Sequence, residues 1–175
     1  MLHQALNQAR DMARGLYPVE LEGTSLMSSL QELTQRTETL MKVSCKFHCP
    51  VPIRMDDNNI ATHLYRIAQE AIHNAIKHGM AQLIEVSLIQ REGNMTLIVS
   101  DDGNGLGDQE GNVEGIGLQI MKYRARMIGA SHYFESNLPQ GTLLICSLKV
   151  PTAKQEKGFL KLAMVQNSQG SEDRI

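Results

Sequence analysis

The chain predicts an α+β fold, and three observations carry the prediction. Residues 63–79, HLYRIAQEAIHNAIKHG, have the apolar period of an amphipathic helix. Residues 83–90 and 95–100 are two β-rich runs joined by the short turn Arg91, Glu92, Gly93, Asn94, the layout of an antiparallel hairpin. Residues 101–117 are crowded with glycine and open directly into another helical run.

At 175 residues the chain fits one domain, or one domain with an appendage. Seventeen basic residues stand against nineteen acidic ones, so nothing pulls the whole molecule toward nucleic acid or an anionic membrane, and any basic site must be local. No apolar run approaches the roughly 18 residues needed to span a bilayer, and the first residues lack the layout of a secretory signal. The expectation is a cytoplasmic, soluble fragment, which leaves room for a longer, membrane-bound parent.

Residues 1–16 are helical in composition, and Gly15, Tyr17 and Pro18 end the run. Leu2, Ala5, Leu6, Ala9, Met12, Ala13 and Leu16 form a seam that so short a helix cannot bury alone. The segment reads either as half of a helical hairpin or dimer, or as a helix packed on its own domain. A second helix is expected at 25–41, with Leu26, Leu30, Leu33 and Leu40 inward.

Residues 43–49 alternate Val43, Cys45, Phe47 and Cys49 with Ser44, Lys46 and His48, a strand pattern. Cys45 and Cys49 flank His48, which invites a metal reading. On a strand, however, their sulfurs would sit about 13 Å apart at roughly 3.3 Å per residue, too far for one zinc or one disulfide. Both cysteines are expected to be buried and reduced. Pro50 and Pro52 then break the chain ahead of Asp56 and Asp57, either of which can cap the central helix.

On that helix Leu64, Ile67, Ala68, Ala71, Ile72, Ala75 and Ile76 make one broad apolar stripe, with Arg66, Glu70, His73, Asn74 and Lys77 opposite. Glu70 and Asn74 are four apart and project from adjacent turns of one face. A carboxylate beside a carboxamide oxygen suits a hard divalent cation such as Mg²⁺.

Six of the fifteen residues from Gly103 to Gly117 are glycine, an entropic cost that a purely structural turn rarely carries. The segment reads as a flexible loop that covers a ligand. The helix at 115–130 turns Leu118, Met121, Ala125 and Ile128 inward and offers Lys122, Arg124 and Arg126 as positive charge. Its N-terminus opens from the glycines, so free N–H groups and the helix dipole favour a phosphate there. Strands are expected at 132–136 and 142–150 around a turn at Pro139, Gln140 and Gly141, and the remainder, 152–175, reads as a tail.

Two familiar phosphate motifs are absent. No glycine is followed by Lys-Ser or Lys-Thr, which excludes a Walker A loop. The dinucleotide fingerprint fails as well, since Asp108 follows Gly103 and Gly105 where a glycine is needed, and Ile120 follows Gly115 and Gly117.

What the chain does carry is E-A-I-H-N-A-I-K-H from Glu70, D-D-G-N-G from Asp101, G-I-G-L from Gly115 and G-T at Gly141 and Thr142. In this order and spacing, over roughly residues 5–150, these resemble the ATP-binding boxes of the GHKL superfamily. R-I-A-Q-E-A-I-H-N-A-I-K-H and the earlier R-G-L-Y-P resemble one class of bacterial sensor histidine kinase, whose response regulators carry helix-turn-helix output domains.

The resemblance implies a Bergerat-type α/β sandwich: a mixed, mostly antiparallel sheet with helices on one face, preceded by the end of a dimerisation helix. Residues 1–22 would be the last part of that hairpin, and 23–151 the catalytic domain. It implies ATP and Mg²⁺ as ligands. Asn74 would hold the metal, and Glu70 would be the neighbouring polar or base position. Lys77 and His78 would lie near the phosphates. Asp101 would accept a hydrogen bond from the adenine amino group, with Gly103 and Gly105 letting the backbone pass close to the base. Gly115 and Gly117 would hinge the lid, in the box shared with Ile116 and Leu118, and Thr142 would support the adenine pocket through water.

The implied partners are a phosphoacceptor histidine on a helix of the same or a paired chain, a cognate response regulator, and a second copy in the full-length homodimer. No acceptor motif stands in this chain, and His3 lacks the matching context. The lid, 104–114, is short and holds no Phe. Two further readings share these boxes: a stand-alone serine kinase of the anti-sigma type, and a nucleotide-responsive interaction module without transfer activity.

Overall fold

The structure, a computed structural model, describes residues 25–105, 115–137 and 139–150. The expected N-terminal helix and hairpin segment, most of the lid, and the tail lie outside the described residues.

The first helix among the described residues, α1, is Leu26–Met41, N-capped by Ser25, whose hydroxyl accepts from the Ser28 N–H. Leu26, Leu30 and Thr34 are buried along it, and the Thr34 hydroxyl donates back to the Gln31 carbonyl, which makes burial of a polar group tolerable. Leu40 departs from the expectation. It is 63% exposed, because the last turn of α1 extends past the elements the helix packs on, leaving 38–42 exposed throughout.

Strand β1, Ser44–His48, follows at once, with Cys45 buried. Cys49 lies just past it and is only half-buried, its thiol donating to the Val51 carbonyl, where full burial was expected. Cys45, Cys49 and Cys146 are all free thiols, and burial pushes Cys45 and Cys146 up to about 11.

The central helix, α2, is Asn58–Lys77. Of the two candidate caps Asp57 serves, its carboxylate accepting from the N–H groups of Asn59 and Ile60. The helix crosses over the sheet and returns the chain to β2, Leu83–Arg91, which pairs parallel with β1. A two-residue turn with Glu92 and Gly93 both at positive φ joins β2 to β3, Asn94–Asp101, as an antiparallel hairpin. Helix α3, Ile116–Met127, precedes β4, Ser131–Ser136, and β5, Thr142–Lys149.

The five strands lie in the order β1-β2-β3-β5-β4, antiparallel except for β1 with β2. One face of the sheet is buried: Ile84, Val86 and Leu88 of β2, Met95, Leu97 and Val99 of β3, and Leu144, Cys146 and Leu148 of β5. The apolar sides of the three described helices meet that face in one core, and each buried Leu or Ile side chain contributes about 1.5–3 kcal/mol. This is the mixed, mostly antiparallel α+β arrangement expected from the sequence. Among the described residues, no helix is long and apolar enough to cross a membrane.

Candidate functional site

The site has two parts, both attached to α2. The first is the end of β3. Asp101 is buried there, 7% exposed, and its Oδ1 accepts from the Gly103 N–H at 2.8 Å, which turns the chain sharply back. Its main-chain carbonyl accepts from Asn137 Nδ2 at 2.9 Å. Gly141, at φ +106°, presses against that same carbonyl so closely that a β-carbon would land on it. Continuing the β3–β5 register by one step sets the half-buried Thr142 across from Asp101.

This strand end is fastened to the C-terminus of α2. A β-carbon on Gly103 would come within 2.5 Å of the Gly79 carbonyl, and that carbonyl accepts from the Asn104 N–H at 2.7 Å. Gly105, also at positive φ, lies over Gly141. Asp102 completes the fastening, its Oδ1 accepting from both Gln82 and Leu83 N–H at 2.8 Å. The bond from Leu83, then the opposing burial and the bond from Gln82, leave its carboxyl below the ordinary value. Gln140 Nε2 donates to the Asp102 carbonyl at 3.0 Å.

The second part is the seam between α2 and α3. Glu70 and Asn74 are half-buried on α2, and Gly117 in the first turn of α3 lies directly on them. A β-carbon there would collide with Glu70 Oε1 and stand 2.9 Å from Asn74 Nδ2. A side chain at 117 would therefore have to displace the ends of these two side chains. Gly115 caps α3 with open space around it, Ile116 is exposed and Leu118 packs against the core. The Leu118 and Gln119 N–H groups donate to the Gly115 carbonyl, and the N–H groups before them, at the positive end of α3, lie beside Glu70 and Asn74. Lys77 and His78 stand exposed at the C-terminus of α2, where His78 is the C-cap.

Of the residues singled out from the sequence, the structure thus groups Glu70 and Asn74 with Gly117, and Asp101 with Gly103, Gly105 and Thr142. Arg66 is a correction. Expected on the open face of α2, it is 6% exposed, its Nη1 donating to Gln69 Oε1 at 2.8 Å, because α3 covers that face. Asp102, Asn137 and Gln140 were not foreseen as parts of the site. A hydrogen bond from 137 back to 101 leaves no local pattern in a single sequence.

The family model described as "Histidine kinase-, DNA gyrase B-, and HSP90-like ATPase" matches residues 59–152, more than half of the chain. The chain belongs to this ATPase family. Among curated relatives it is 31% identical over 150 residues to the nitrate/nitrite sensor protein NarQ of Escherichia coli, a match covering 83% of this chain and 26% of NarQ. It is 29% identical to the oxygen sensor histidine kinase NreB of Staphylococcus carnosus, covering 86% of this chain and 43% of NreB.

The chain therefore spans less than half the length of either relative. The fold agrees with the histidine kinase domain of a blue-light activated histidine kinase from Erythrobacter litoralis, at a TM-score of 0.62 and 15% identity, over 75% of this chain and 68% of that one. This ATPase domain is of the sensor-kinase type, and the serine-kinase alternative is not favoured.

Proposed function

We propose that the chain is the catalytic domain of a bacterial sensor histidine kinase, which binds Mg·ATP and passes the γ-phosphoryl group to a histidine on a dimerisation helix. In this reading residues 1–22 belong to that helical hairpin and 23–151 form the catalytic domain, with 152–175 as an appendage. The full-length protein is a homodimer that hands the phosphoryl group on to a response regulator.

One observation supports it best. A single helix, α2, carries Glu70 and Asn74 against the positive end of α3 and is fastened at its C-terminus to the loop that holds the buried Asp101. The donor set fits the ligands. A buried carboxylate with one oxygen engaged by its own loop retains acceptor capacity for an exocyclic amino group, and this discriminates adenine from guanine. The Asn74 carboxamide and Glu70 carboxylate are hard oxygen donors suited to Mg²⁺, with Asn74 as the ligand. Bound there, the ion would neutralise phosphate charge.

The chain's own groups supply the rest. Lys77, His78 and the first N–H groups of α3, in the box Gly115, Ile116, Gly117 and Leu118, bind phosphate oxygens, the helix end contributing about 0.3–1 kcal/mol. Thr142 supports the base through water. In the transfer a bond forms from the acceptor imidazole nitrogen to the γ-phosphorus as the bond to the ADP oxygen breaks, and Glu70 is the carboxylate at hand to accept the imidazole proton. The chemistry is mostly positioning and charge neutralisation.

A calorimetric titration of the chain with ATP, with and without Mg²⁺, tests the reading. Binding should strengthen with Mg²⁺ and be absent with GTP. Asn74→Ala should remove the Mg²⁺ dependence and Asp101→Asn should weaken ATP binding. Normal binding in both variants would sink the assignment. Transfer to an acceptor hairpin supplied in trans then tests the reaction itself.

A further inference from the structure

Only one face of the sheet is buried. The described helices pack on the side of Ile84, Leu97 and Cys146. Along β2, β3 and β5 the side chains that alternate with the core are half-buried or exposed, and none is buried.

This second face is apolar at its centre. The strand register sets Ile98 of β3 beside Ile145 of β5, and Ile145 beside Tyr133 of β4, which is 56% exposed. Leu143 follows on the same side of β5, and Ile89 of β2 stands diagonally across from Ile98. The hydroxyls in the adjoining row already have partners. Thr96 and Ser147 share a hydrogen bond of 3.0 Å, and the Ser131 hydroxyl donates to the Ser147 carbonyl at 3.1 Å. A layer laid over that row would therefore strand none of the three.

The chain itself supplies such a layer. Strand β5 ends at Lys149, paired with Asn94 beside the β2–β3 turn, and the Val150 N–H donates to the Gly93 carbonyl at 2.9 Å. The chain thus leaves from the middle of the sheet, at the end away from Asp101. Pro151 has no N–H with which to continue the ladder. Residues 151–175 lie outside the described residues, and in their sequence the apolar side chains gather at Phe159, Leu160, Leu162, Ala163 and Met164. At about 100° per residue these five share one side of a helical wheel, with Lys161 opposite.

The distances agree. Phe159 stands nine residues past Val150, a tether of up to about 30 Å. Ile145 lies four residues back from the end of β5, roughly 13 Å. So short a tether holds the group at a local concentration on the order of millimolar, which favours the chain's own segment over that of a second copy.

We propose that residues 159–164 lie across the open face of their own sheet, with their apolar side on Ile98, Ile145 and Tyr133, as a second layer opposite the helices. The inference needs no nucleotide and is independent of the kinase reading.

The chain contains no tryptophan, so Phe159→Trp in the whole chain is a single fluorescent reporter. Its emission should lie to the blue of indole in water and resist quenching by acrylamide. Ile145→Thr keeps a β-branched residue in the strand but removes most of the apolar contact, and should move that emission to the red. Ile98→Thr repeats the test from β3 if Ile145→Thr folds poorly. In a melting cycle, Phe159→Ser combined with Ile145→Thr should lose less than the sum of the single losses by about 2 °C or more.

A water-like emission from the reporter in the otherwise wild-type chain overturns the proposal. So does a blue emission that neither sheet substitution moves, since the segment would then pack elsewhere, and so do additive melting losses. A blue emission that fades on dilution assigns the cover to a second copy and overturns the assignment to the same chain.

Discussion

Around Asp101 every hydrogen bond that holds the chain has a main-chain atom on one side, whereas around Glu70 and Asn74 the close contacts are with side-chain ends. At the strand end, main-chain N–H groups of Gly103, Gln82 and Leu83 donate to the Asp101 and Asp102 carboxylates and that of Asn104 to the Gly79 carbonyl, and Gly141 and Gly103 lie where no β-carbon fits against main-chain atoms. At the helix seam the close contact of Gly117 is with the far ends of two polar side chains, and the remaining partners are charges. Backbone cannot give way and side chains can. Under the proposed function, the first kind of wall would suit recognition of a base and the second would suit uptake of phosphates and a metal.

The largest expected effect tests the rigid half. Gly141→Ala places a methyl group on the Asp101 carbonyl at a φ of +106°, and neither main-chain segment can withdraw without breaking β3–β5 pairing. We expect a loss of about 3 kcal/mol or more, read by denaturant unfolding. A variant within about 1 kcal/mol of wild type would show that the strand end yields, and the contrast between the two halves would collapse.

The next effect tests the yielding half. In Gly117→Ala the methyl meets the Glu70 carboxylate and the Asn74 carboxamide, which can rotate aside, and alanine gains roughly 1 kcal/mol of helix propensity. Stability should be nearly unchanged while, if the proposed site is right, Mg·ATP affinity falls about tenfold or more, about 1.4 kcal/mol, because both displaced groups would face the phosphates. A stable variant with unaltered affinity would remove Glu70 and Asn74 from the site. Loss of folding would instead make this wall as stiff as the other.

The difference between the halves also explains what could be read from the sequence. The β2–β3 hairpin and the amphipathic α2 follow from local patterns and appear where the residues place them, and of the two caps that the sequence left open, Asp56 and Asp57, the structure selects Asp57. Arg66 was assigned to the open face of α2 because a helical wheel registers one apolar stripe and not a second helix laid over the polar side. Leu40 had the right phase for burial, but phase says nothing about where the packing partner ends. The resemblance implied a mixed sheet without saying which strands run parallel, and the parallel pairing of β1 with β2 was not legible because it joins segments with a whole helix between them. Asn137 and Gln140 were unreadable for the same reason: their partners, Asp101 and Asp102, are 36 and 38 residues away.

The smallest effect lies on the joint that serves the rigid half. Asp102 is half-exposed, and its carboxylate accepts two N–H groups from the segment that links α2 to β2. Those bonds favour the charged form in the folded chain, so the folded carboxyl titrates below the unfolded one. The sign follows from linkage. The contribution is fully present above the unfolded value, near the ordinary carboxylate range, and is lost as pH falls through the lower, folded value. Asp102→Ala should therefore cost under about 1 kcal/mol at neutral pH, a modest figure because water and salt screen so exposed a group. The gap between variant and wild type should narrow as the pH is lowered below the usual aspartate range, measured by unfolding at a series of pH values. A gap that stayed constant into acid would mean that the α2–β2 segment is held to the strand end by packing alone, and that the Asp102 charge contributes nothing to the rigidity of the Asp101 side.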